Sequence, residues 1–461
     1  MKFDSRRSRG NIKTKTYLTR NFMLENVKIS HGLARRASWL ISDLGFVLQK
    51  ALFVTDETIW RNCRNFFPQK FDNFLLLKKP KADEKNLKKI SVALKNCDLI
   101  VGLGSGTIND LCKFTSSQKN VPYVIFASAS SMNGYLSKNA SITISGHKKT
   151  LPATLPLKVF CDLEILSQAP IELTKAGIGD SLCFYSCWFD WYLSHKILGT
   201  KFDKKPFTIL QPKMEFFVKN YKKFVLRDEK FLKILIEILL LSGQGMTRAG
   251  GSYPASQSEH MIAHSIEMKY PKKSAKILHG QIIAVTSLMS ARLQEKILKG
   301  PVANQLSEKS EPLIYKDSSS LKMVRNGDLR QNLKGVCEAG PRHEDGVTLC
   351  EQQILNLSPR LHDGVQLKKL ETFFGKKIAA ECKKEYEQKL KNLTSAKKMN
   401  TAFQEEIKKI HCDEKKLKAI FSHFKIKISA KSLGLSGKEY QDCIAYAKFT
   451  RNRFTCLDYF Y

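Results

Sequence analysis

The sequence predicts an α/β domain with a parallel sheet, followed by a mostly α-helical domain. In the first 170 residues, short β-rich runs alternate with amphipathic helical stretches. Beyond them, the apolar residues take the spacing of long helices. We expect a basic N-terminal extension at 1–22, an α/β domain at 23–169 and a helical domain at 170–461.

The predicted strands are short and rich in β-branched and aromatic residues. In chain order they are MLENVKIS, KALFVTDE, DLIVGLG, VPYVIFAS and KVFCDLEIL. The stretches HGLARRASWLISDL, ADEKNLKKISVALKNC and TINDLCKFTSS have the apolar spacing of helices. Because strands and helices alternate, we expect crossover connections and a sheet that binds a nucleotide at the carboxyl ends of its strands.

Long helices are predicted in the remainder of the chain. They cover 171–198, 228–245, 256–269 and 279–298, then 364–425 in pieces and 438–451. The stretch 302–362 uses arginine and glycine where its neighbours use lysine, and we interpret it as an insertion. The most apolar run, FLKILIEILLLSGQGM, contains Lys233 and Glu237 and is shorter than the about 20 residues of a membrane span. The N-terminus lacks the apolar core of a secretory signal, so a cytoplasmic protein is expected.

The formal net charge of +34 raises the question of a nucleic-acid partner. The lysines are spread along the chain, which argues against a dedicated nucleic-acid surface, whereas small anionic substrates would still be attracted. Twelve cysteines occur without a CxxC pair. This favours reduced thiols over a disulfide framework or a zinc finger.

A glycine-rich turn in DLIVGLGSGTIND separates a buried strand from a helix. Gly102, Gly104 and Gly106 would let the backbone approach a pyrophosphate at the helix N-terminus. The spacing G-x-G-x-G differs from the usual G-x-G-x-x-G, and such turns also serve helix–strand packing. Asp56 ends an earlier strand, where it could accept a hydrogen bond from a ribose or adenine or cap the next helix.

One carboxylate and a group of histidines form a candidate metal site. Asp180 follows two glycines in AGIGDSL, and His260, His264 and His279 fall within YPASQSEHMIAHSIEMKYPKKSAKILHG. A carboxylate with two imidazoles is enough for a divalent metal that keeps open positions for substrate. From spacing alone, a helix-capping aspartate and unrelated imidazoles remain the alternative.

Eight blocks of the sequence together resemble a known family. They are VGLGSGTINDLCKF, VPYVIFASASSMNGYLS, GHKKTLPATLPLKVFCDLEILSQAP, AGIGDSL, DWYLSH, GSYPASQSEHMIAHSIEM, LHG and AYAKFTRNRFTCLDY. Their order and spacing resemble glycerol-1-phosphate dehydrogenases, most closely the bacterial form. These belong to the superfamily of iron-containing alcohol dehydrogenases, glycerol dehydrogenase and 3-dehydroquinate synthase. The resemblance covers nearly the whole chain except about 302–400, and implies a Rossmann-like first domain and a dehydroquinate synthase-like helical second domain.

The resemblance implies an NAD(P)H-linked, metal-dependent oxidoreductase that interconverts dihydroxyacetone phosphate and sn-glycerol 1-phosphate. By position, the metal ligands would be Asp180, His260 and His279, with zinc or nickel as the usual ion. His264 would lie beside the metal or face the substrate, and its role could be exchanged with that of His260. The implied cofactor-binding residues are Asp56, Gly104, Ser105, Gly106, Thr107, Asp110, Ser128 and Ser131. A homodimer or larger homo-oligomer is expected.

The main departure from the family pattern is Asn133, where an aspartate is usual near the nicotinamide and substrate. Asparagine keeps the size and hydrogen-bonding capacity but loses the charge and any role as proton acceptor. Ser128 also stands where threonine is commoner. Asn133 and His264 are the candidate catalytic residues, and Lys148 or Lys149 is the candidate anchor of the substrate phosphate, unless both are solvated surface lysines.

Three other functions remain open from the sequence. The first is a related polyol dehydrogenase with an unphosphorylated substrate, and the second is a carbocyclic synthase of the same superfamily. The third is a catalytically impaired nucleotide-binding homologue, which Asn133 favours and the retained metal-ligand pattern disfavours.

Overall fold

A computed structural model of the chain describes residues 24–144, 147–299, 365–393 and 401–460. The predicted N-terminal extension at 1–22 and insertion at 302–362 lie outside the described residues. The chain divides into two compact units. The first takes Met1–Gly177 and Lys204–Ser252, and the second takes Ile178–Asp203 and Tyr253–Tyr461.

A six-stranded sheet forms the centre of the first unit, and all of its paired strands are parallel. Its strands are β1 (Val27–Ser30), β2 (Ala51–Asp56), β3 (Asn73–Leu77), β4 (Leu99–Gly104), β5 (Tyr123–Ala127) and β8 (Lys158–Asp162), in the order β1-β8-β5-β4-β2-β3. A separate antiparallel hairpin is formed by β6 (Asn139–Ile144) and β7 (His147–Pro152). The predicted parallel sheet is confirmed.

Aspartate residues start several helices of the first unit. The helices are α1 (Ala37–Asp43), α2 (Glu57–Cys63), α3 (Glu84–Ala93), α4 (Gly106–Lys119), α5 (Leu163–Gln168), α7 (Lys205–Asn220) and α8 (Glu229–Ala249), while α6 (Ile171–Leu198) contributes residues to both units. Asp162 caps α5 by accepting a hydrogen bond from the Glu164 backbone N–H at 3.2 Å. The segment KVFCDLEIL is therefore a strand only as far as Asp162, and the longer strand predicted from sequence is wrong beyond that residue.

Apolar side chains cover both faces of the sheet. Leu52 and Val54 of β2 belong to one buried cluster, whereas Phe53 between them belongs to the other, as the twofold alternation of a strand requires. The first cluster also contains three residues of α8, namely Leu232, Ile236 and Leu240. This shared core explains why residues 204–252 belong to the same unit as the sheet. The predicted domain boundary after residue 169 stays a prediction.

The second unit is helical, as predicted. With the later part of α6, it contains α9 (Ser258–Lys269), α10 (Pro271–Ser274), α11 (His279–Lys299), α12 (Val365–Phe374), α13 (Lys376–Leu393), α14 (Thr401–Lys408), α15 (Glu414–His423), α16 (Gly437–Ala447) and α17 (Leu457–Phe460). None of the helices in the described ranges is long and apolar enough to cross a membrane. The ten cysteines within those ranges are free and buried.

A buried carboxylate on α6 joins several of these helices. Asp190 accepts hydrogen bonds from the backbone N–H of Ser258 and of Cys456, each at 3.1 Å, and from Nε2 of Gln294 at 3.0 Å. Burial raises the pKa of Asp190 to about 7 despite the opposing effect of these hydrogen bonds. Because Ser258 starts α9, this contact fixes the beginning of the helix that carries His260.

Candidate metal and cofactor sites

A glycine on α6 sets the position of Asp180. A Cβ atom at Gly179 would lie only 2.0 Å from the backbone oxygen of Gly280, so α6 and α11 approach closely only because residue 179 is glycine. Asp180 follows Gly179, and His279 precedes Gly280. The close contact therefore brings the carboxylate of α6 beside the imidazole that starts α11.

Asp180, His260 and His279 each offer one ligand atom, and these three atoms lie within 4.8 Å of one another. The distance from His260 Nε2 to Asp180 Oδ1 is 3.9 Å. Two ligands at about 2.1 Å from one ion can be at most about 4.2 Å apart. The three side chains thus need only small rotations to share an ion.

Each imidazole of this group has a carboxylate partner. Nδ1 of His260 is 2.8 Å from Oε1 of Glu259, and Nδ1 of His279 is 3.2 Å from Oε1 of Glu267. Burial acts to raise the pKa of Glu259, but its hydrogen bonds, including those from His260 and the Gln257 N–H, outweigh burial and lower the pKa to about 2. Because a carboxylate accepts, each Nδ1 donates, and each Nε2 keeps the lone pair that binds a metal.

His264 lies beside the three-residue group and is not part of it. Its Nδ1 is 3.3 Å from Oε2 of Glu267, and its Nε2 is 2.9 Å from Nη2 of Arg451. Burial first, and the charge of Arg451 second, lower the pKa of His264 to about 3. His264 is therefore a neutral ring with both nitrogens engaged, an arrangement that disfavours exchanging its role with that of His260.

Cys183, Glu259 and His260 form a second group with potential ligand atoms. The hydrogen bond with Cys187 lowers the pKa of the Cys183 thiol, but burial and the nearby charges of Glu259 and Asp180 raise it to about 11. The Cys183 Sγ already donates to the Asp180 carbonyl at 3.0 Å, and Oε1 of Glu259 already accepts from Nδ1 of His260 at 2.8 Å. The group of Asp180, His260 and His279 is therefore the stronger candidate.

The strand order of the first unit reverses between β2 and β4, and this point is the candidate nucleotide-binding site. The chain leaves β2 toward β3 on one side and leaves β4 toward β5 on the other, while β2 and β4 pair directly through Val54 and Gly102. Ligands of parallel α/β sheets bind at such a switch point, beyond the carboxyl ends of the strands. Asp56 and Gly104 end these two strands.

The glycines of the turn have different roles. A Cβ at Gly104 would lie 2.4 Å from Cβ of Ile108, and one at Gly102 would lie 2.7 Å from Cδ1 of Ile125, so both serve close packing. At Gly106 the nearest atom would be Cγ of Met132 at 4.0 Å. Ser105 makes no side-chain cap to α4. Ser105 therefore does not occupy the first N–H groups of this helix, including that of Thr107, and such groups are the usual donors to a bound anion.

Asp56 caps α2, which was one of the two roles that the sequence suggested for it, the other being a contact with a ribose or adenine. Its Oδ1 accepts hydrogen bonds from the backbone N–H of Thr58 at 2.8 Å and of Ile59 at 2.9 Å. Both bonds use the same oxygen, so the cap is compatible with a ribose contact through Oδ2. Asp110 accepts from the Ser141 N–H at 3.2 Å, which ties α4 to β6.

The loop after β5 carries the remaining predicted cofactor residues. Ser128 is buried and its N–H donates to the Gly104 carbonyl at 3.0 Å, while Ser131 is half-buried. Asn133 donates from Nδ2 to Oγ of Ser242 at 3.3 Å. The loop is thus attached to β4 on one side and to α8 on the other.

A fully buried lysine also holds this loop. Nζ of Lys113 donates to the carbonyls of Gly134 at 2.6 Å and Asn139 at 3.1 Å. Burial lowers the pKa of Lys113 to about 8, with the charge of Asp110 opposing the shift. The sequence analysis did not single out Lys113, because an isolated lysine in an amphipathic helix is normally exposed.

The structure describes the side chain of only one of the two candidate phosphate anchors. Lys149 is exposed on β7, which is compatible with a solvated lysine, and the side chain of Lys148 lies outside the described residues. Their role stays a prediction.

Comparison with known proteins gives the family. The model of the iron-containing alcohol dehydrogenases matches residues 28–170. The glycerol-1-phosphate dehydrogenase of Bacillus subtilis is 28% identical over 283 residues, which cover 61% of this chain and 71% of that protein. The protein of the same name from Thermococcus sibiricus is 31% identical over 242 residues, which cover 52% and 67%. The chain belongs to the glycerol-1-phosphate dehydrogenase family of iron-containing alcohol dehydrogenases.

This family membership confirms the resemblance seen in the sequence and the predicted enzyme class, an NAD(P)-dependent oxidoreductase. A solved structure with the same fold is that of an alcohol dehydrogenase from an archaeal, halo-thermophilic Red Sea brine pool source. It has a TM-score of 0.52 and 12% sequence identity, and the match covers 92% of this chain and 90% of that one. At this identity the match concerns the fold alone, and it agrees with the predicted fold of the family.

Proposed function

We propose that the protein is a metal- and NAD(P)H-dependent oxidoreductase that interconverts dihydroxyacetone phosphate and sn-glycerol 1-phosphate. The feature that supports this most directly is the group of Asp180, His260 and His279, whose ligand atoms lie within 4.8 Å of one another. The relatives from Bacillus subtilis and Thermococcus sibiricus carry the name of this activity, which supports a phosphorylated substrate over an unphosphorylated polyol.

Asp180, His260 and His279 would hold the metal. The side chains of Asp180 and His260 are only 2% and 8% exposed, so their ligand atoms are shielded from competing water. Two neutral nitrogens and one carboxylate oxygen suit zinc or nickel and leave coordination positions for a substrate. We propose zinc or nickel as the ion, with iron as the alternative that the family name suggests.

The crevice between the ends of β2 and β4 would hold the cofactor. The backbone N–H groups of Ser105, Gly106 and Thr107 would receive the pyrophosphate at the start of α4, where the helix dipole favours a negative charge. Asp56 would accept a hydrogen bond from a ribose hydroxyl through Oδ2. Ser128 and Ser131 would present hydroxyls to the diphosphate and nicotinamide, and Asp110 would hold the start of α4 in place through its bond to Ser141.

When bound, the metal would polarise the ketone oxygen as a Lewis acid, and NAD(P)H would supply the hydride. Glu259 and Glu267 accept hydrogen bonds from Nδ1 of His260 and His279, which would leave each Nε2 able to bind the ion. Asn133 can orient a neighbouring group by hydrogen bonding, but it cannot accept a proton as the carboxylate usual in the family can. His264 is proposed to lie near the substrate as a neutral ring.

The decisive assay follows oxidation of NADH and NADPH by protein that has been stripped of metal and reloaded with zinc, nickel or iron. Dihydroxyacetone phosphate and dihydroxyacetone are compared as substrates. We expect metal-dependent turnover of the phosphorylated ketone. His279→Ala should lose metal and activity together, by at least about 100-fold, because Lewis-acid assistance is worth several kcal/mol. His423→Ala, which removes an exposed imidazole from the same unit, is the matched control.

Three other outcomes would change the proposed substrate, the proposed activity or the proposed ligand set. Turnover of dihydroxyacetone alone would favour a polyol dehydrogenase. Tight NADH and metal binding without turnover of either ketone would favour an impaired homologue, in line with Asn133. Stoichiometric metal in His279→Ala would remove that residue from the ligand set.

A further inference from the structure

A single carboxylate contacts two of the three clustered histidines. Glu267 lies on α9, three residues after His264, and its Oε2 is 3.3 Å from Nδ1 of that ring. Its Oε1 is 3.2 Å from Nδ1 of His279, which starts α11. Glu267 therefore joins the helix that carries His260 to the residue that starts the next long helix.

Arg451 determines how this contact is oriented. Its Nη2 lies 2.9 Å from Nε2 of His264. A guanidinium group only donates hydrogen bonds, so His264 must accept at Nε2 and donate from Nδ1. That N–H then donates to Oε2 of Glu267 at 3.3 Å, while Oε1 lies 3.2 Å from Nδ1 of His279.

His279 depends on such a partner more than His260 does. The His279 side chain is 36% exposed, against 8% for His260, so less packing holds its ring. His260 also has a separate carboxylate, Glu259, which the Gln257 N–H and the Ser186 hydroxyl hold, each at 2.8 Å. The orientation of the His279 ring thus depends on a hydrogen bond to Glu267.

We infer that Glu267 is a positioning residue of the proposed metal centre: it accepts the Nδ1 proton of His279, and the Arg451–His264 pair keeps it in place to do so. The inference rests on the proposed function, since it concerns a ligand of that metal. It assigns His264 a supporting role through Glu267, in place of the ligand role that sequence spacing left open.

The test is the zinc affinity of Glu267→Gln, measured by competition with a chromophoric chelator. Glutamine keeps the size of the side chain, but one of its two terminal atoms is an NH2 donor, so one of the two imidazole N–H groups would face a donor in place of an acceptor. We expect zinc to bind about 10- to 100-fold more weakly, and the absorption bands of the cobalt-loaded protein to change. Glu237→Gln is the matched control, because its side chain is 17% exposed against 18% for Glu267 and it pairs with Lys213 in the first unit.

The melting temperature of the metal-free proteins separates positioning from a general structural role. A purely structural role would lower this temperature and leave the zinc affinity of the folded protein unchanged, which would overturn the inference. If Glu267→Gln does not fold, His264→Ala removes the group that holds Oε2, and a smaller loss of about three- to tenfold is expected. Unchanged affinity in that variant would also overturn it.

The two proposals fail in different ways. If the wild-type protein binds no zinc, nickel or iron, both the proposed function and this inference are wrong. If the wild type binds metal and Glu267→Gln binds it equally well, the inference alone is wrong.

Discussion

Replacing Gly179 by alanine should separate the proposed metal ligands without removing any of them. The added Cβ would lie 2.0 Å from the backbone oxygen of Gly280 and 3.1 Å from Cβ of Ala284. The first contact is with backbone, which has no rotamer to change. Helices α6 and α11 must therefore move apart, and the adjacent residues Asp180 and His279 move with them.

The size of the displacement follows from the contact distance. A carbon atom and a carbonyl oxygen approach no closer than about 3.3 Å, so the helices must part by roughly 1.3 Å from the 2.0 Å contact. Metal–ligand distances vary by only about 0.2 Å, so this movement is several times too large to be absorbed by the bonds. We expect zinc affinity to fall at least about 100-fold, and overpacking to cost about 1–3 kcal/mol of stability in the metal-free protein.

Equilibrium dialysis against buffered zinc, followed by elemental analysis, measures the affinity. Gly437→Ala is the control in the same unit, since no atom lies within 4 Å of a Cβ at the start of α16. That variant should bind zinc like the wild type and gain up to about 1 kcal/mol, because alanine restricts the unfolded chain.

A particular combination of results would refute the reasoning. If Gly179→Ala is destabilised but binds zinc within about threefold of the wild type, the α6–α11 contact matters for packing and does not set the ligand geometry. The close approach would then have no bearing on the site.

Two further predictions concern the first unit. The folded-state pKa of Lys113 is lowered from 10.5 to about 8, so the folded protein binds fewer protons than the unfolded chain between these values, and the stability from this group rises with pH there. In urea titrations from pH 8 to 10.5, the stability of the wild type relative to Lys113→Met should rise by about 3 kcal/mol, and a constant difference would contradict the buried-lysine assignment. Asn133→Asp places a carboxylate next to the Ser242 hydroxyl, which can turn to donate to it. NADH affinity should stay within about twofold while turnover changes about tenfold or more, and unchanged kinetics would make the departure at this position irrelevant.

The central strands were predictable because their residues are buried on both faces. The runs in β4, β5 and the first four residues of β2 are continuously apolar, which is typical of parallel strands between two layers of helices. The edge strand β3 was missed, since its first four residues alternate between half-buried and exposed positions. The hairpin of β6 and β7 was missed because it is largely polar, with lysine and histidine at the start of β7.

Helix α7 was missed for a different reason. Pro206 and Pro212 both suggest a break, but Pro206 lies in the first turn, where its missing N–H costs nothing. Pro212 lies inside the helix, which nevertheless continues to Asn220 because Phe207, Leu210, Met214 and Phe217 are buried along one side. Tertiary packing outweighs local propensity there.

The part of the candidate site that lies within sequence motifs was predictable. Asp180, His260 and His279 were identified by family resemblance and by donor type, and the structure brings them together. Glu259 and Glu267 lie within the same quoted motif, but nothing in their spacing told them from surface acids. The contact between His264 and Arg451 joins residues 187 positions apart, and one sequence without an alignment contains no signal for it.

The position of His279 is set by two independent contacts, which explains why local sequence could not define it. Gly179 allows the backbone of α11 to approach α6, and this fixes where the His279 main chain begins. Glu267 orients the ring, and it does so from α9, whose start is tied to Asp190. Because both contacts belong to the packing of the second unit, binding of the proposed metal would be coupled to folding of that unit. An ion at 100 times its Kd would stabilise the folded form by about 2.7 kcal/mol, and loosening either contact would reduce this stabilisation by weakening the affinity.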